Sequence, residues 1–357
     1  MTSMTNPLSR DLDFILDHTE AVWPELRGRR IFITGGTGFF GCWLLESFVW
    51  ANDKLHLEAE AVVLTRDPEG FRTKAPHLAE HPSVRLVTGD VRNFESPSGT
   101  FSHVIHAATE SASGLNERDP MAMLDNIVAG TRRVLDFAVA CGARKFLLTS
   151  SGAVYGQQTA DTAHIPETYP GSPDPTNPRS AYGEGKRAAE LLCAIYRQGY
   201  GLETKIARGF AFVGPYLPLD KHFAIGNFIR DQLAGGPILV SGDGTPIRSY
   251  LYAADLAVWL WTILAKGAPC RPYNVGSEAA ISIAETARTV AAALGSAFPV
   301  EISGKPGIGA AHRYVPSTAR VQCELGLRQW TRLEEAIRRT REWHAVHAAG
   351  QSEVCAC

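Results

Sequence analysis

A glycine-rich turn near the amino terminus constrains the fold more than any other feature of this sequence. The turn, Thr34 to Gly41, follows a short apolar run and precedes a segment, Cys42 to Ala51, whose apolar residues have helical spacing. Glycines at positions 35, 38 and 41 would let backbone NH groups approach a pyrophosphate, and the dipole of the following helix favours an anion. The segment therefore predicts a dinucleotide-binding turn between a strand and a helix, the alternative being an ordinary tight turn.

Strand-like and helix-like segments alternate after this turn. Helix-like segments such as 121–140 and 181–197 lie between several of the apolar runs that resemble buried strands. Those runs are 61–65, 84–88, 103–106, 145–149 and 204–208. Strands buried on both faces and separated by helices predict an α/β fold with a Rossmann-type, doubly wound parallel sheet.

The regular alternation breaks up after Gly209, where glycine and proline punctuate the chain, and this favours a smaller carboxy-terminal substrate-binding domain. We expect residues 1–27 to form a helical extension packed on the outside, with one amphipathic helix from Asp11 to Leu26. Residues 28–208, with about 250–276, would form the dinucleotide-binding domain. Residues 209–249 and 277–347 would bind the substrate, and 348–357 would be a tail.

The charge balance bears on the class of partner. Lys and Arg number 35 and Asp and Glu 37, so the formal net charge is -2, which argues against nucleic acid and membranes as partners. The start of the chain lacks the pattern of a secretory signal, and the most apolar stretch, Ala253 to Ala265, is too short to cross a bilayer. We expect a cytoplasmic protein whose seven scattered cysteines are reduced and which binds no metal.

Two further motifs carry candidate chemistry. Tyr182 and Lys186 are four residues apart in a helix-like segment, so the ammonium group can stabilise a phenolate and make the tyrosine a general base. Alone, this spacing is more simply an exposed helix face, but its place downstream of the glycine turn favours the functional interpretation. Ser151 follows an apolar strand, where a hydroxyl would face a ligand; a strand-ending turn is the alternative.

Together these motifs resemble the extended short-chain dehydrogenase/reductase family, in its nucleotide-sugar epimerase, dehydratase and decarboxylase branch, from about Arg29 to His344. The resemblance implies that Ser151, Tyr182 and Lys186 are catalytic. Tyr182 would take a proton from a sugar hydroxyl while hydride leaves that carbon for the nicotinamide. The implied cofactor contacts are Gly35, Gly38, Phe39, Phe40, Gly41, Arg66, Asp90, Val91, Ala107, Ala108, Thr109, Asn126, Tyr182 and Lys186.

The resemblance also implies a nucleotide-diphosphate sugar as substrate. The implied substrate contacts are Ser150, Ser151, Asn227, Arg248 and Arg313. Arginine suits a diphosphate, although Arg313 is equally well explained as a surface charge. NAD is the expected cofactor, but Arg66 at the end of the second strand would also suit the 2′-phosphate of NADP. Relatives of this kind commonly pair through two helices, so we expect a homodimer formed by 121–140 and 181–197.

The expected reaction follows from a departure from the family pattern. Dehydratases and decarboxylases of this branch usually carry an acidic residue where this chain has Gly152 and Ala153, and neither Glu167 nor Glu184 obviously replaces it. This favours an epimerase that oxidises a ring hydroxyl, at C4, and reduces the ketone from the other face. The alternatives are a 4,6-dehydratase, a uronate decarboxylase, a 4-ketosugar reductase and, remotely, a non-catalytic dinucleotide sensor. The segment Tyr182 to Arg187 looks closer to the decarboxylases.

Overall fold

The computed structural model describes residues 6–109, 112–221, 223–305 and 311–354. Its strands are β1 (Arg30–Thr34), β2 (Glu60–Thr65), β3 (Val84–Thr88), β4 (His103–His106), β5 (Lys145–Ser151), β6 (Glu203–Gly209), β7 (Phe212–Val213), β8 (Ile238–Val240), β9 (Ile247–Arg248), β10 (Leu251–Tyr252), β11 (Pro272–Val275), β12 (Ile281–Ser282) and β13 (Val300–Ile302). Its helices are α1 (Ser9–His18), α2 (Phe39–Leu55), α3 (Pro68–Lys74), α4 (Pro76–Ala79), α5 (Ala112–Arg118), α6 (Pro120–Ala140), α7 (Ala181–Tyr200), α8 (Ala224–Leu233), α9 (Ala253–Lys266), α10 (Ile283–Ala293), α11 (Ala319–Leu325) and α12 (Leu333–Val354).

Seven parallel strands form the central sheet, in the order β11-β6-β5-β4-β1-β2-β3. The chain runs from β1 outward to β3 and then returns to the other side of β1 as β4, so strand order reverses between β1 and β4. In sheets of this kind ligands bind at the carboxyl ends of the strands beside such a reversal. The predicted Rossmann-type α/β fold is confirmed, and it places the site beside Thr34 and His106, which are paired in the register of β1 and β4.

Helices cover both faces of the sheet because the strand side chains alternate between two apolar layers. In β1, Ile31 and Ile33 join the layer formed with α2 and α9, whereas Phe32 joins the layer formed with α6 and α7. Helix α9 is buried over nearly its whole length, and β11 then pairs with β6 at one edge of the sheet. Within the described residues, no helix is long and apolar enough to cross a membrane.

The amino-terminal segment differs from its prediction. Helix α1 ends at His18 and a separate 3-10 turn covers Trp23–Leu26, so the predicted single helix from Asp11 to Leu26 is wrong. The break lies at Thr19, whose hydroxyl donates to the carbonyl of Ile15 and accepts from the Trp23 indole, 3.0 Å away. The segment is also not an external addition, because Leu12, Ile15 and Trp23 are buried in the layer that contains α2 and α9.

Candidate active site

The glycine turn is packed so closely that side chains at two positions would not fit. Gly35 has a φ of +70°, and a Cβ there would lie 2.4 Å from the carbonyl oxygen of Ala107. A Cβ on Gly41 would lie 2.2 Å from the carbonyl oxygen of Gly35. Gly38 precedes the first residue of α2, so the free NH groups of this helix start face the turn. The geometry is that of a cradle for an anionic group held by backbone NH groups.

A cavity of about 440 Å³ opens beside this turn at the carboxyl ends of β1, β2 and β3. Nine of the predicted cofactor residues line it: Gly35, Gly38, Arg66, Asp90, Val91, Ala107, Ala108, Thr109 and Asn126. Thr37, Leu64, Thr65, Asp67, Gly70, Phe71, Lys74 and Gly89 complete the lining, and sequence analysis did not propose them. The residues that line the cavity extend from the end of β3 to the turn after β4. A cavity of this extent suits a dinucleotide.

Five predicted cofactor residues do not line this cavity: Phe39, Phe40 and Gly41 at the start of α2, and Tyr182 and Lys186 on α7. Gly41 lies behind the turn, where it permits the close packing described above. Phe39 and Phe40 begin α2, and the Phe40 ring packs edge-on against Phe212 at 5.0 Å between centroids. Their aromatic rings contribute to the packing between the helix start and the segment after β6.

The carboxylates at the far end of the cavity have protein partners. Asp67 accepts a hydrogen bond from the Gly70 NH at 2.8 Å and so caps α3. Asp90 forms an ion pair with Arg92 at 2.8 Å, and the hydrogen bond from that guanidinium holds the pKa of the Asp90 carboxyl below its usual range. Arg66 lines the same cavity, and its positive charge also lowers the pKa of Asp90.

Lys186 connects the cavity with the catalytic motif. Its Nζ donates to the Thr109 hydroxyl and to the carbonyl oxygen of Thr149, both at 2.8 Å, so the ammonium is held at the ends of β4 and β5. The side chain is buried, and burial lowers the pKa of Lys186 to about 8. The ammonium group lies 5.9 Å from the centre of the Tyr182 ring, as the predicted helical spacing requires.

Ser151 lies near two phenols. One is Tyr182, the other Tyr314, which sequence analysis did not identify. Burial raises the pKa of both tyrosines, and the interaction with Ser151 opposes that rise. The Ser151 hydroxyl also accepts from the NH of Ala153 at 3.1 Å. The structure thus brings the three predicted catalytic residues together and adds a second phenol.

Ser150 points away from this group. Its hydroxyl donates to Glu190 at 2.5 Å, and Glu190 in turn forms a half-buried ion pair with Arg208 at 2.6 Å. Arg208 also donates to the Tyr155 hydroxyl at 2.8 Å. Because neighbouring residues of a strand face opposite sides of the sheet, only Ser151 faces the Tyr182 phenol. The substrate contact predicted for Ser150 is therefore not supported by its position.

The start of α7 is held by a residue that sequence analysis missed. Asn116 in α5 accepts from the Tyr182 NH at 3.0 Å and donates to the carbonyl of Arg179 at 2.8 Å. This buried amide fixes the first turn of α7 and thereby the position of Tyr182. No local pattern marks Asn116, because its partners lie more than sixty residues away along the chain.

The two glutamates considered as replacement acids lie elsewhere. Glu167 accepts from the Asn274 NH at 2.9 Å and faces Arg320 at 3.7 Å, while Glu184 faces Arg187 at 3.5 Å on α7. Among the described residues, no carboxylate is hydrogen-bonded to Ser151, Tyr182 or Tyr314. The predicted catalytic group therefore consists of hydroxyls and one ammonium.

The predicted substrate residues of the carboxy-terminal portion fall into separate places. Arg248 in β9 donates to the Ile247 carbonyl at 2.9 Å, and its guanidinium lies 6.0 Å from the centre of the Tyr314 ring. Arg313 pairs with Ile247 through a β-bridge and lines a different cavity, beside β12 and α10. The Asn227 amide donates to the carbonyl of Leu219 at 2.9 Å. Only Arg248 adjoins the catalytic group.

Metal ligands and cysteines show no additional site in the part of the chain that the structure describes. No group of three or more His, Cys, Asp or Glu side chains is arranged to hold a metal ion there, and five cysteines are unpaired. Near the carboxy terminus, the His347 ring stacks on Trp343 at 3.8 Å between centroids. Cys355 and Cys357 lie outside the described residues.

Comparison with known proteins is consistent with this geometry. UDP-glucuronic acid decarboxylase 1 of Arabidopsis thaliana is 30% identical over 311 residues, covering 87% of this chain and 68% of the relative. The enzyme of the same name from Xenopus tropicalis is 30% identical, covering 87% and 71%. Some plant relatives are longer, and the chain spans 57% of UDP-glucuronic acid decarboxylase 2.

Solved structures with the same fold include two sugar-nucleotide enzymes. A dTDP-glucose 4,6-dehydratase from Streptomyces venezuelae, solved with NAD and TYD bound, is 26% identical with a TM-score of 0.75, covering 88% of this chain and 97% of that one. A UDP-glucose 4-epimerase from Thermotoga maritima, solved with UDP-glucose, shares the fold at 20% identity and a TM-score of 0.74, covering 89% and 99%. Residues 31–276 match the NAD dependent epimerase/dehydratase family. The chain is therefore an enzyme of the NAD-dependent epimerase/dehydratase family, and its cofactor is NAD.

Proposed function

We propose that this enzyme is a nucleotide-sugar epimerase that inverts a ring carbon, C4, through transient oxidation to a ketone. The observation that carries the proposal is the composition of the catalytic group. Ser151, Tyr182 and Lys186 provide what oxidation and reduction of a hydroxyl require, and no carboxylate is bonded to them within the described residues. Epimerisation needs no second acid, whereas removal of an α-proton or elimination of water does.

Each member of the group has a distinct part in the reaction. Tyr182 accepts the proton of the substrate hydroxyl as the carbon–hydrogen bond breaks, and it returns that proton after the ketone has turned its other face. The Lys186 ammonium, fixed by Thr109 and Thr149, favours the phenolate form of Tyr182 through its positive charge. Ser151 hydrogen-bonds the oxygen that alternates between hydroxyl and carbonyl. NAD, when bound, accepts the hydride and gives it back.

The residues present fit this cofactor. Gly35 and Gly41 leave no room for side chains, so backbone rather than side-chain atoms face the cradle at the start of α2. The cavity extends from this cradle to Thr109, and Thr109 accepts from Lys186. Gly35, Gly38 and the start of α2 would hold the pyrophosphate, and the end of β3 with Asp90 and Val91 would hold the adenine. The nicotinamide end would lie toward Lys186 and Tyr182.

Arg248 is the residue best placed to hold the substrate diphosphate. Its guanidinium is half-buried, lies beside Tyr314, and faces His312 and the Ile247 carbonyl rather than a carboxylate. Burial lowers the pKa of Arg248, which an anionic ligand would counter. Asn227 and Arg313 are weaker candidates, since Asn227 supports the segment at Leu219 and Arg313 lines a separate cavity.

The direct test is turnover without added cofactor. Purified enzyme would be incubated with UDP-, dTDP-, CDP- and GDP-hexoses, and ¹H NMR would follow the anomeric and C4 protons. We expect one sugar to equilibrate with its C4 epimer, with no net change in NAD. Retention of substrate deuterium at C4 would show that hydride returns to the same carbon. Consumption of stoichiometric NADPH would instead identify a 4-ketosugar reductase.

A uronate decarboxylase is the second candidate, since several relatives with about 30% identity or more are UDP-glucuronic acid decarboxylases. Oxidation of C4 in a uronic acid creates a ketone β to the carboxylate, and such acids lose carbon dioxide without a dedicated protein acid. Incubation with UDP-glucuronate separates the candidates: carbon dioxide and a pentose product identify the decarboxylase. An epimerised uronic acid with all six carbons retained would favour the first proposal.

We further propose that the enzyme is a homodimer formed through α6 and α7. These helices pack side by side, and apolar side chains project from them into solvent. Met121 is 67% exposed, Leu191 62% and Ile195 51%. Leu191 and Ile195 are four residues apart and share one helix face, so they form a continuous apolar patch of the kind that marks an interface.

A further inference from the structure

We propose that Lys74 is a cofactor-binding residue whose ammonium group holds the pyrophosphate of NAD against the glycine turn. Lys74 is the last residue of α3 and lines the cavity beside that turn. Neither the glycine pattern nor the catalytic motifs include it. Every sugar reaction considered above uses the same cofactor, so this role does not depend on which of them the enzyme performs.

The ammonium group of Lys74 lies directly at the turn. Its Nζ donates to the Thr37 carbonyl oxygen at 2.8 Å, although the two residues are 37 positions apart in the chain. Thr37 precedes Gly38, the N-cap of α2, and both line the cavity together with Lys74. A positive charge therefore lies where the free NH groups of the helix start can receive an anion.

The ammonium group has hydrogen-bonding capacity left for a ligand. It carries three N–H donors. Among the residues that the structure describes, the Thr37 carbonyl is its one hydrogen-bond acceptor. The nearest carboxylates along the chain are engaged elsewhere, since Glu69 pairs with Arg72 and Asp67 accepts from the Gly70 NH. Lys74 can thus keep its bond to the turn and still donate to a phosphate oxygen.

The packing of α3 and α4 against α2 determines where Lys74 reaches. Phe71, three residues before it, is buried in the apolar layer that contains α2. His77, three residues after it, contacts the Glu46 carboxylate of α2 at 2.7 Å. Glu46 also accepts from the Tyr216 hydroxyl, and the Lys74 ammonium lies 5.6 Å from the centre of the Tyr216 ring. Attachment on both sides of Lys74 directs its side chain to the turn.

Two cationic side chains line the cavity, and they lie at different places in it. Arg66 follows β2, and its charge acts on Asp90 after β3, where the adenosine is expected. Lys74 is bonded to the glycine turn, where the pyrophosphate is expected. The pyrophosphate is anionic, and the other donors of the turn are uncharged backbone NH groups. Lys74 supplies the charge that they lack.

The test compares the NAD affinity of the wild-type enzyme and of Lys74→Met by calorimetry. Methionine retains the apolar stem but not the charge. Because the side chain is exposed and solvent screens its charge, we expect the dissociation constant for NAD to rise only about five- to tenfold. Added salt should narrow this difference, and Lys74→Arg, which keeps the charge, should restore most of the affinity. A Lys74→Met enzyme that binds NAD as tightly as the wild type overturns the proposal.

Two smaller ligands distinguish contact with the phosphates from an effect on the shape of the turn. ADP contains two linked phosphates, whereas adenosine contains none. In Lys74→Met the affinity for ADP should fall by about the same factor as that for NAD, and the affinity for adenosine should not change. Equal losses for ADP and adenosine would mean that Lys74 only shapes the turn, and would overturn the proposal.

A matched control comes from the same helix. Arg72→Met removes another exposed cation of α3, one that pairs with Glu69 and is not among the residues that line the cavity. It should leave the affinity for NAD unchanged, and a loss equal to that in Lys74→Met would contradict a specific contact. If Lys74→Met weakens NAD and ADP as expected but no nucleotide sugar is epimerised, the proposed function fails alone.

Discussion

At the scale of single residues, the buried ammonium of Lys186 should make the turnover rate depend on pH. Burial lowers its pKa to about 8 from an ordinary value of 10.5, so the charge that favours the Tyr182 phenolate is lost as pH rises through about 8. We expect the turnover rate to fall over that interval. Lys186→Arg keeps its charge throughout and should lose this alkaline limb, even with a lower maximum rate. A limb near pH 8 that persists in Lys186→Arg would assign the titration to another group.

A second residue prediction concerns the glycine turn. Gly35→Ala places a methyl group 2.4 Å from the Ala107 carbonyl, in addition to the strain of a positive φ. We expect NAD affinity, measured by calorimetry, to fall at least about tenfold, which corresponds to about 1.4 kcal/mol. Gly142→Ala is a matched control, because its φ is +75° but nothing lies within 4 Å of the added carbon. It should cost about 1 kcal/mol of stability and leave NAD affinity unchanged.

The site residues that the sequence identified and those that it missed differ in whether their signals are local or depend on contacts across the fold. Gly35, Tyr182 and Lys186 carry local signals, since the turn and the helical spacing are properties of a few consecutive residues. Tyr314, Asn116 and Glu190 act through contacts made across the fold, and their own neighbours in sequence give no sign of them. Ser150 was proposed together with Ser151 because the two hydroxyls of adjacent strand residues cannot be distinguished until the structure shows that Ser150 bonds to Glu190.

At the scale of elements, α1 is tied to α12 and β10 by a buried carboxylate. Asp11 accepts from the Tyr252 hydroxyl at 2.7 Å and from Arg339, and burial raises the pKa of Asp11. Arg339→Met would leave that carboxylate buried without its cation, so we expect the free energy of unfolding to fall by about 3 to 5 kcal/mol in urea titrations. Arg338→Met, which removes the exposed ion pair with Glu335, should cost less than about 1 kcal/mol. Equal losses in both variants would contradict this account.

The bounds of the strands were predicted more closely than those of the amino-terminal helix. Strand β4 lies at its predicted bounds and β5 extends only two residues further, because both are apolar runs between clear breaks. In contrast, the apolar residues on both sides of Thr19 suggested one amphipathic helix. The helix ends because the Thr19 side chain bonds back to Ile15 and because Trp23 turns into the core, and only the tertiary contacts of that indole reveal this.

At the scale of the whole molecule, the topology explains why residues far apart in sequence form one site. The strand order reverses between β1 and β4, so the glycine turn, Thr109 and the end of β5 meet at one edge of the sheet. The alternation of strands and helices predicted this arrangement. The position of the Tyr314 segment was beyond prediction, because it depends on irregular pairings with β9 and with the proline-rich loop at Ile165.

The proposed dimer is also a property of the whole molecule. Leu191 and Ile195 project from α7 beside α6, and pairing of two copies would remove this apolar face from water. We expect the wild-type enzyme to sediment as a dimer and Ile195→Glu to sediment as a monomer, because a charge buried at the interface without a partner is costly. Val346→Glu introduces the same charge at an exposed apolar position on α12 and should leave the dimer intact. A monomeric wild type, or a dimer that Ile195→Glu leaves unaltered, would remove α7 from the interface. Because Tyr182 and Lys186 lie on the same helix as Ile195, we expect the monomeric variant also to lose part of its turnover.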